Sequence, residues 1–145
     1  MSTTVTTYPE LDRALERWES ITIVGLDLGY KELEGPEFRL EDCYGKGPAT
    51  VNAGIVEIVD SKLWNVTTDA AIVRVYDSRM ETITAPRAER LLVVDSYIGR
   101  MEVSETTEVV LLNAYVGRLS GGRVSGTMRS YVEVEFEQGV ELDLI

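Results

Sequence analysis

At 145 residues with one cysteine, Cys43, the chain is long enough to bury a core as a single domain and cannot form an intrachain disulfide. It has no histidine, which excludes Ser-His-Asp and Cys-His catalysis, His-ligated zinc and histidine-dependent acyl transfer, and makes Cys43 a small core residue rather than an activated thiol. Asp and Glu number 25 against 14 Lys and Arg, a net charge of −11 that opposes binding to nucleic-acid phosphates or anionic lipid and suits a basic partner or a cation better.

The first residues, Met1-Ser2-Thr3-Thr4-Val5-Thr6-Thr7, lack the charged and apolar regions of a signal peptide. No stretch approaches the roughly 18 apolar residues of a membrane span. The expected location is cytoplasmic, or within a particle assembled there. Residues 8 to 19 then read as a helix: Thr7 and Glu10 fit a capping box, Pro9 sits in the first turn, and Leu11, Ala14, Leu15 and Trp18 fall on one face. The open first coil of a stacked fold needs an apolar lid, so this helix is expected to cap the N-terminal end, a partner-binding helix being the alternative.

From residue 21 a repeat takes over. Asp-Ser recurs at Asp60-Ser61, Asp77-Ser78 and Asp95-Ser96, spaced by 17 and 18 residues, and the frame extends 18 residues upstream to Asp42-Cys43 and 18 downstream to Asn113-Ala114. Four and two residues before each Asp or Asn stand apolar pairs: Phe38 and Leu40, Val56 and Ile58, Val73 and Val75, Leu91 and Val93, Val109 and Leu111. Each pair reads as a short strand facing a core with period two. The residue after each Asp or Asn is small (Cys43, Ser61, Ser78, Ser96, Ala114), as an inside corner requires, and inward columns follow at Leu63, Met80, Ile98, Val116 and at Val66, Ile83, Met101, Leu119. Columns that keep their chemistry from coil to coil predict a mainly β, single-domain parallel β-helix, with right-handed winding preferred. An antiparallel sandwich is the competing architecture, but it calls for Asn-Gly or Asp-Gly hairpin turns and none occurs.

The frame fades at both ends. Ile21, Ile23, Leu26 and Leu28 fit a coil centred on Gly25, and Met128, Ser130 and Tyr131 a last one, before Val132, Val134 and Phe136 alternate with Glu133, Glu135 and Glu137 as a terminal strand with one solvated face. The predicted organisation is an N-terminal segment and helix over 1–20, a solenoid over 21–136 and a tail or capping strand over 137–145. Six or seven coils at about 4.8 Å each would make a rod roughly 30 Å long.

Several outward columns are candidates for function. Asp42, Asp60, Asp77, Asp95 and Asn113 stack at one corner, where Asx side chains are expected to serve the turn. Repulsion between stacked carboxylates would be relieved by a cation, so calcium at Asp42, Asp60, Asp77 and Asp95 is the alternative to having no cofactor. One residue before each corner an apolar column, Val59, Tyr76, Val94 and Leu112, points outward and is joined by Leu92 and Val110. Contiguous apolar surface marks a contact, either with the chain's own segment Val140 to Ile145 or with a subunit or partner. Tyr44, Tyr97 and Tyr115 form another outward column with Lys62 and Arg79 between them. They are expected to stack on each other across rungs, sugar stacking being the alternative. Arg100 and Arg118 either meet a carboxylate partner or pair with Glu102 and Glu81.

Coils of 17 to 18 residues with an inward Val-x-Val strand and a small corner residue resemble those of parallel β-helix proteins, including the bactofilin type of cytoskeletal polymer. Arg74-Val75-Tyr76-Asp77-Ser78 and Val93-Val94-Asp95-Ser96 are similar to solenoid repeats carried by bacteriophages. The resemblance spans residues 38 to 120. It departs from bactofilins in the scarcity of glycine at rung ends, apart from Gly99 and Gly117, and in the helical cap.

The resulting expectation is a non-catalytic structural or assembly solenoid, a component of a phage particle or other large complex, that associates with itself or another protein through Val59, Tyr76, Leu92, Val94, Val110 and Leu112. No catalytic residue, direct nucleic-acid contact or membrane contact is expected. The alternatives are an acidic inhibitor or DNA mimic that binds a basic protein, and a carbohydrate-binding or carbohydrate-active solenoid, for which Glu81 and Glu102 form no obvious catalytic pair.

Overall fold

The computed structural model describes residues 2–131 and 134–144. The chain begins with β1 (Ser2–Val5), α1 (Tyr8–Glu16), β2 (Ser20–Val24), β3 (Glu32–Glu34), β4 (Glu37–Glu41) and β5 (Tyr44–Asn52). It continues with β6 (Ile55–Val59), β7 (Lys62–Thr67), β8 (Ile72–Tyr76), β9 (Arg79–Ala85), β10 (Arg90–Val94) and β11 (Tyr97–Val103). The last elements are β12 (Glu108–Leu112), β13 (Tyr115–Ser120), β14 (Arg123–Gly126), α2 (Met128–Tyr131), β15 (Glu135–Phe136) and β16 (Glu141–Leu144).

Alternate strands stack in parallel. Sheet A runs β1-β2-β4-β6-β8-β10-β12-β14-β16, and sheet B runs β3-β5-β7-β9-β11-β13-β15. The molecule is a parallel β-solenoid of about eight turns. The sequence repeat indicated six or seven, and the difference lies at the ends, where β1 and β16 add rungs that the Asp-Ser frame does not reach. The predicted inward pairs from Phe38–Leu40 to Val109–Leu111 are all buried, as are both sheet B columns from Leu63 to Leu119. Each such aliphatic side chain contributes roughly 1.5–3 kcal/mol by leaving water. A short third side closes each coil, where Ala70, Ala88 and Thr107 are buried and the Thr107 hydroxyl donates to the Ala88 carbonyl at 2.6 Å.

The corner between the sheets has its own chemistry. Asp42, Asp60, Asp77, Asp95 and Asn113 all adopt left-handed backbone, with φ between 48° and 50°, and Gly25 does so in the coil before them at 71°. Asx and Gly tolerate this region better than other residues, and that selects them here. The hydrogen bonds expected from backbone N–H groups to the Asx oxygens are not found in this column among the described residues. Its one side-chain bond runs from Asn113 Nδ2 to Asp95 Oδ1, at 2.7 Å.

The residue after the corner does more than fit. Ser61 Oγ accepts from the Cys43 N–H at 3.1 Å, Ser78 Oγ from the Ser61 N–H at 3.1 Å, and Ser96 Oγ from the Ser78 N–H at 3.0 Å. Each of these hydroxyls also donates within its own rung, to the carbonyls of Val59, Tyr76 and Val94. A ladder of buried serines thus satisfies the corner amides that strand pairing leaves over. It lapses at Ala114, and Ser130 resumes it by accepting from the Ala114 N–H at 3.2 Å.

At the N-terminal end α1 crosses from β1 to β2 with Leu11 and Ala14 buried, and so caps the core as predicted. The Thr7 side chain accepts from the Glu10 N–H, and the Glu10 carboxylate accepts from the Thr7 hydroxyl and the Thr6 N–H, bonds that hold its pKa below the usual value. The helix ends at Glu16 rather than residue 19. Trp18 lies beyond it in left-handed conformation with φ 51° and is exposed, so it does not share the buried stripe. At the other end the predicted strand is interrupted. A helical turn, α2, carries Ser130 and Tyr131, only Glu135–Phe136 pairs with β13, and Val132 and Glu133 lie outside the described residues. No helix among the described residues is long and apolar enough to cross a membrane.

Candidate interaction surfaces

The outer face of sheet A is built from every second residue of each strand. Register brings Ile55 beside Ile72, Leu92 beside Val110, and Val59, Tyr76, Val94 and Leu112 into one line across β6, β8, β10 and β12. All are half-buried, shielded only by their neighbours in the sheet. The tail does not cover them. β16 joins the edge of sheet A beside β14, pairing Glu141 with Arg123 and Asp143 with Ser125, so the intramolecular explanation for the apolar column is overturned for the described tail residues. Ile145 lies outside those residues.

Charge on this face lies in the middle column of β4, β6 and β8 and at the start of β10 and β12. Arg39 contacts Glu41 at 2.6 Å and Glu57 at 3.0 Å, and Arg74 contacts Glu57 at 3.2 Å, which neutralises the middle column up to Leu92. Arg90 and Glu108 pair at 3.5 Å beside Leu92 and Val110. The apolar patch is thus bordered by charges that are already matched.

The corner forms a shallow groove of about 810 Å³ with Asp60, Asp77 and Asp95 on one bank and Lys62, Arg79, Tyr97 and Tyr115 on the other. Tyr97 and Tyr115 stack with centroids 4.6 Å apart and planes 3° from parallel, and the Arg79 guanidinium lies 4.7 Å from the Tyr97 centroid. The expected cross-rung stacking is present for this pair. The carboxylates of Asp42, Asp60, Asp77 and Asp95 are exposed on successive rungs, and among the described residues no three acidic or cysteine side chains converge as a metal-ligand set. Arg100 pairs with Glu102 at 2.9 Å as expected, whereas Arg118 pairs with Glu135 at 3.2 Å and not with Glu81.

A third surface takes in Tyr44, Lys62 and Arg79 of the outward tyrosine column and adds Tyr30, Lys31, Lys46 and Trp64, which were not anticipated as site residues. It occupies the N-terminal part of sheet B, where Tyr30, Tyr44 and Trp64 are 81%, 51% and 50% exposed. Lys31, Lys46 and Lys62, all the lysines of the chain, lie in this part of the molecule, with Arg79 on the next rung after Lys62. None of these four cations forms an ion pair among the described residues, in contrast to the paired arginines of sheet A. Lys31 Nζ sits 4.6 Å over the Tyr8 ring.

The backbone is also irregular there. Gly45 pairs with Leu63 and Pro48 with Asn65, so Lys46 and Gly47 together oppose Trp64, and no other described strand pair has such a register shift. Bulges of this kind re-aim side chains. The ring of Tyr30 lies against Gly47 so closely that a Cβ there would come within 2.5 Å of it, and Tyr30 itself holds φ 63°, a left-handed conformation unusual for a bulky residue. Gly45, Lys46, Lys62, Trp64, Arg79 and Glu81 border a depression of about 340 Å³.

No protein-family model, curated protein sequence or solved structure matches this chain. The likeness to other parallel β-helices accordingly rests on coil length and column chemistry, and the functional reading rests on these surfaces.

Proposed function

We propose that this solenoid is a non-catalytic assembly module that docks through the outer face of sheet A onto the same face of a second copy, as part of a larger complex. The observation that carries the reading is the uncovered apolar patch, which the tail bypasses by becoming a rung. Self-pairing is favoured by the register. A two-fold axis parallel to the strands, placed between β10 and β12 and between two stacked sheets, sets Leu92 opposite Val110, Val94 opposite Leu112 and Arg90 opposite Glu108 of the second copy. At these two central rungs apolar residues meet apolar ones and Arg90 meets Glu108; one rung out, the same operation sets Ile72 opposite Arg123 and Arg74 opposite Ser125.

Sedimentation velocity across a concentration series tests this. The parent chain is expected to show a discrete dimer or higher symmetric species, and Leu92→Arg to be monomeric at the same concentrations with an unchanged urea midpoint. A parent protein that stays monomeric throughout, or a Leu92→Arg variant that associates as well as the parent, defeats the reading.

A further inference from the structure

We propose that the aromatic and cationic surface at the start of sheet B is a binding site for an acidic saccharide, a uronate-containing oligosaccharide, with Trp64 as the platform and with Lys46, Lys62 and Arg79 donating hydrogen bonds to its carboxylates. Trp64 stands half exposed on a rigid strand between Lys62 and Asn65, and the bulge places Lys46 opposite it. The ring face is electronegative and accepts the weakly positive C–H face of a pyranose, while the exposed indole loses little entropy on contact because β7 already fixes it. The Arg79 guanidinium lies over the Tyr97 ring and forms no ion pair among the described residues, so its N–H groups are available to a carboxylate. Glu81 borders the same depression and supplies an acceptor for sugar hydroxyls.

Charge sets the sign of the ligand, and the acceptor and ring beside the cations set its class. Three unpaired cations gathered beside an exposed tryptophan, on a chain of net charge −11, suit a ligand with isolated negative charges. A phosphate polymer and a polyuronate each carry about one negative charge per residue and meet the same repulsion from the rest of the molecule, but the acidic sugar adds pyranose C–H faces for Trp64 and hydroxyls that Glu81 can accept from. The strained Tyr30 and Gly47 beneath it are accounted for on the same basis: they hold a second aromatic surface beside the bulge without the bulk of a Cβ below it.

Calorimetric titration of the whole chain with pentamers of galacturonate and of mannuronate tests the site, with the methyl-esterified galacturonate pentamer and an oligo-dT of similar length as comparisons. At least one acidic pentamer is expected to bind, to weaken as salt rises, and to bind about tenfold less tightly to Trp64→Ala and to Lys46→Ala. Both residues are exposed, so these variants are expected to retain the parent far-UV spectrum and urea midpoint. If neither acidic pentamer binds, if the methyl ester binds as tightly as the acid, if oligo-dT binds more tightly than both uronates, or if Trp64→Ala binds like the parent, the proposal is overturned. The readout is independent of self-association, because Leu92→Arg is expected to bind the pentamer as the parent does.

Discussion

Replacing Ser78 with alanine probes the serine ladder with almost no change in volume. In the parent, Ser78 Oγ accepts from the Ser61 N–H at 3.1 Å and donates to the Tyr76 carbonyl at 2.7 Å. The carbonyl survives the substitution, because it also accepts from the Asp60 N–H at 3.1 Å. The Ser61 N–H does not, and a buried orphan donor costs about 1–3 kcal/mol. With a urea m-value of about 2 kcal/mol/M, the midpoint should fall by roughly 0.5–1.5 M. The converse change is Ala114→Ser, which offers the Ser96 N–H the acceptor that the ladder lacks at that rung and should gain about 0.5–1.5 kcal/mol. Two rungs separate the sites, so the double variant should be additive within about 0.5 kcal/mol. Coincident transitions by circular dichroism and tryptophan fluorescence are required before midpoints are compared, since stacked coils can unfold in parts. A Ser78→Ala midpoint indistinguishable from the parent would refute the claim that the hydroxyl column, and not merely its small size, holds the corner.

The other stability predictions separate backbone geometry from chemistry. Asp77→Asn should be neutral, as Asn113 already occupies the equivalent corner, and Asp77→Val should cost about 1–2 kcal/mol because a β-branched residue is forced to a φ near 49°. Melting temperatures read with calcium and with chelator test the calcium alternative: a calcium-dependent parent whose dependence is lost in Asp77→Asn would support the metal reading of the corner. Cys43 is buried and its thiol pKa is raised by that burial, so iodoacetamide at neutral pH should leave it unmodified in the native protein and alkylate it in urea. Stoichiometric labelling of the native protein within minutes would show that the corner opens.

The inside of the molecule was legible because a period of two within strands and a period of 17 or 18 between coils constrain the same residues twice. Phe38, Ile58, Val75, Val93 and Leu111 are assigned inward by both, and all are buried. Features that depend on a single residue's backbone or on one polar atom were harder to read. Ser61, Ser78 and Ser96 could be identified as small, but serine, cysteine and alanine share that property, and only the spacing of the corner amides shows why a hydroxyl is preferred. Trp18 fits a helical stripe by periodicity yet lies past a helix that stops two residues earlier. β1 has only four residues, three of them Ser or Thr, and acquires its strand identity from pairing with β2. The aromatic surface of sheet B did leave a trace: in the coil after Asp42 the second inward position shifts from Pro48 to Ala49, one residue out of step with Val66, Ile83 and Met101, and that slip is the bulge.

Sheets A and B present their outer faces on different sides of one core, and their charges are handled in opposite ways. Arginines on sheet A are matched to glutamates at the border of an apolar patch, while the cations at the start of sheet B are left without partners beside exposed rings. A dimer formed through sheet A therefore leaves two sheet B sites free on one particle. Such a particle is expected to bind a long acidic glycan with an affinity raised by effective concentration, by about 10²–10⁴ when the spacing is spanned, whereas a pentamer would engage one site at a time. The ratio of polygalacturonate affinity to pentamer affinity should be large for the parent and should collapse toward the single-site value in Leu92→Arg, with pentamer affinity unchanged. An equal ratio in the two proteins would mean that the faces act independently and that association through sheet A has no part in binding through sheet B.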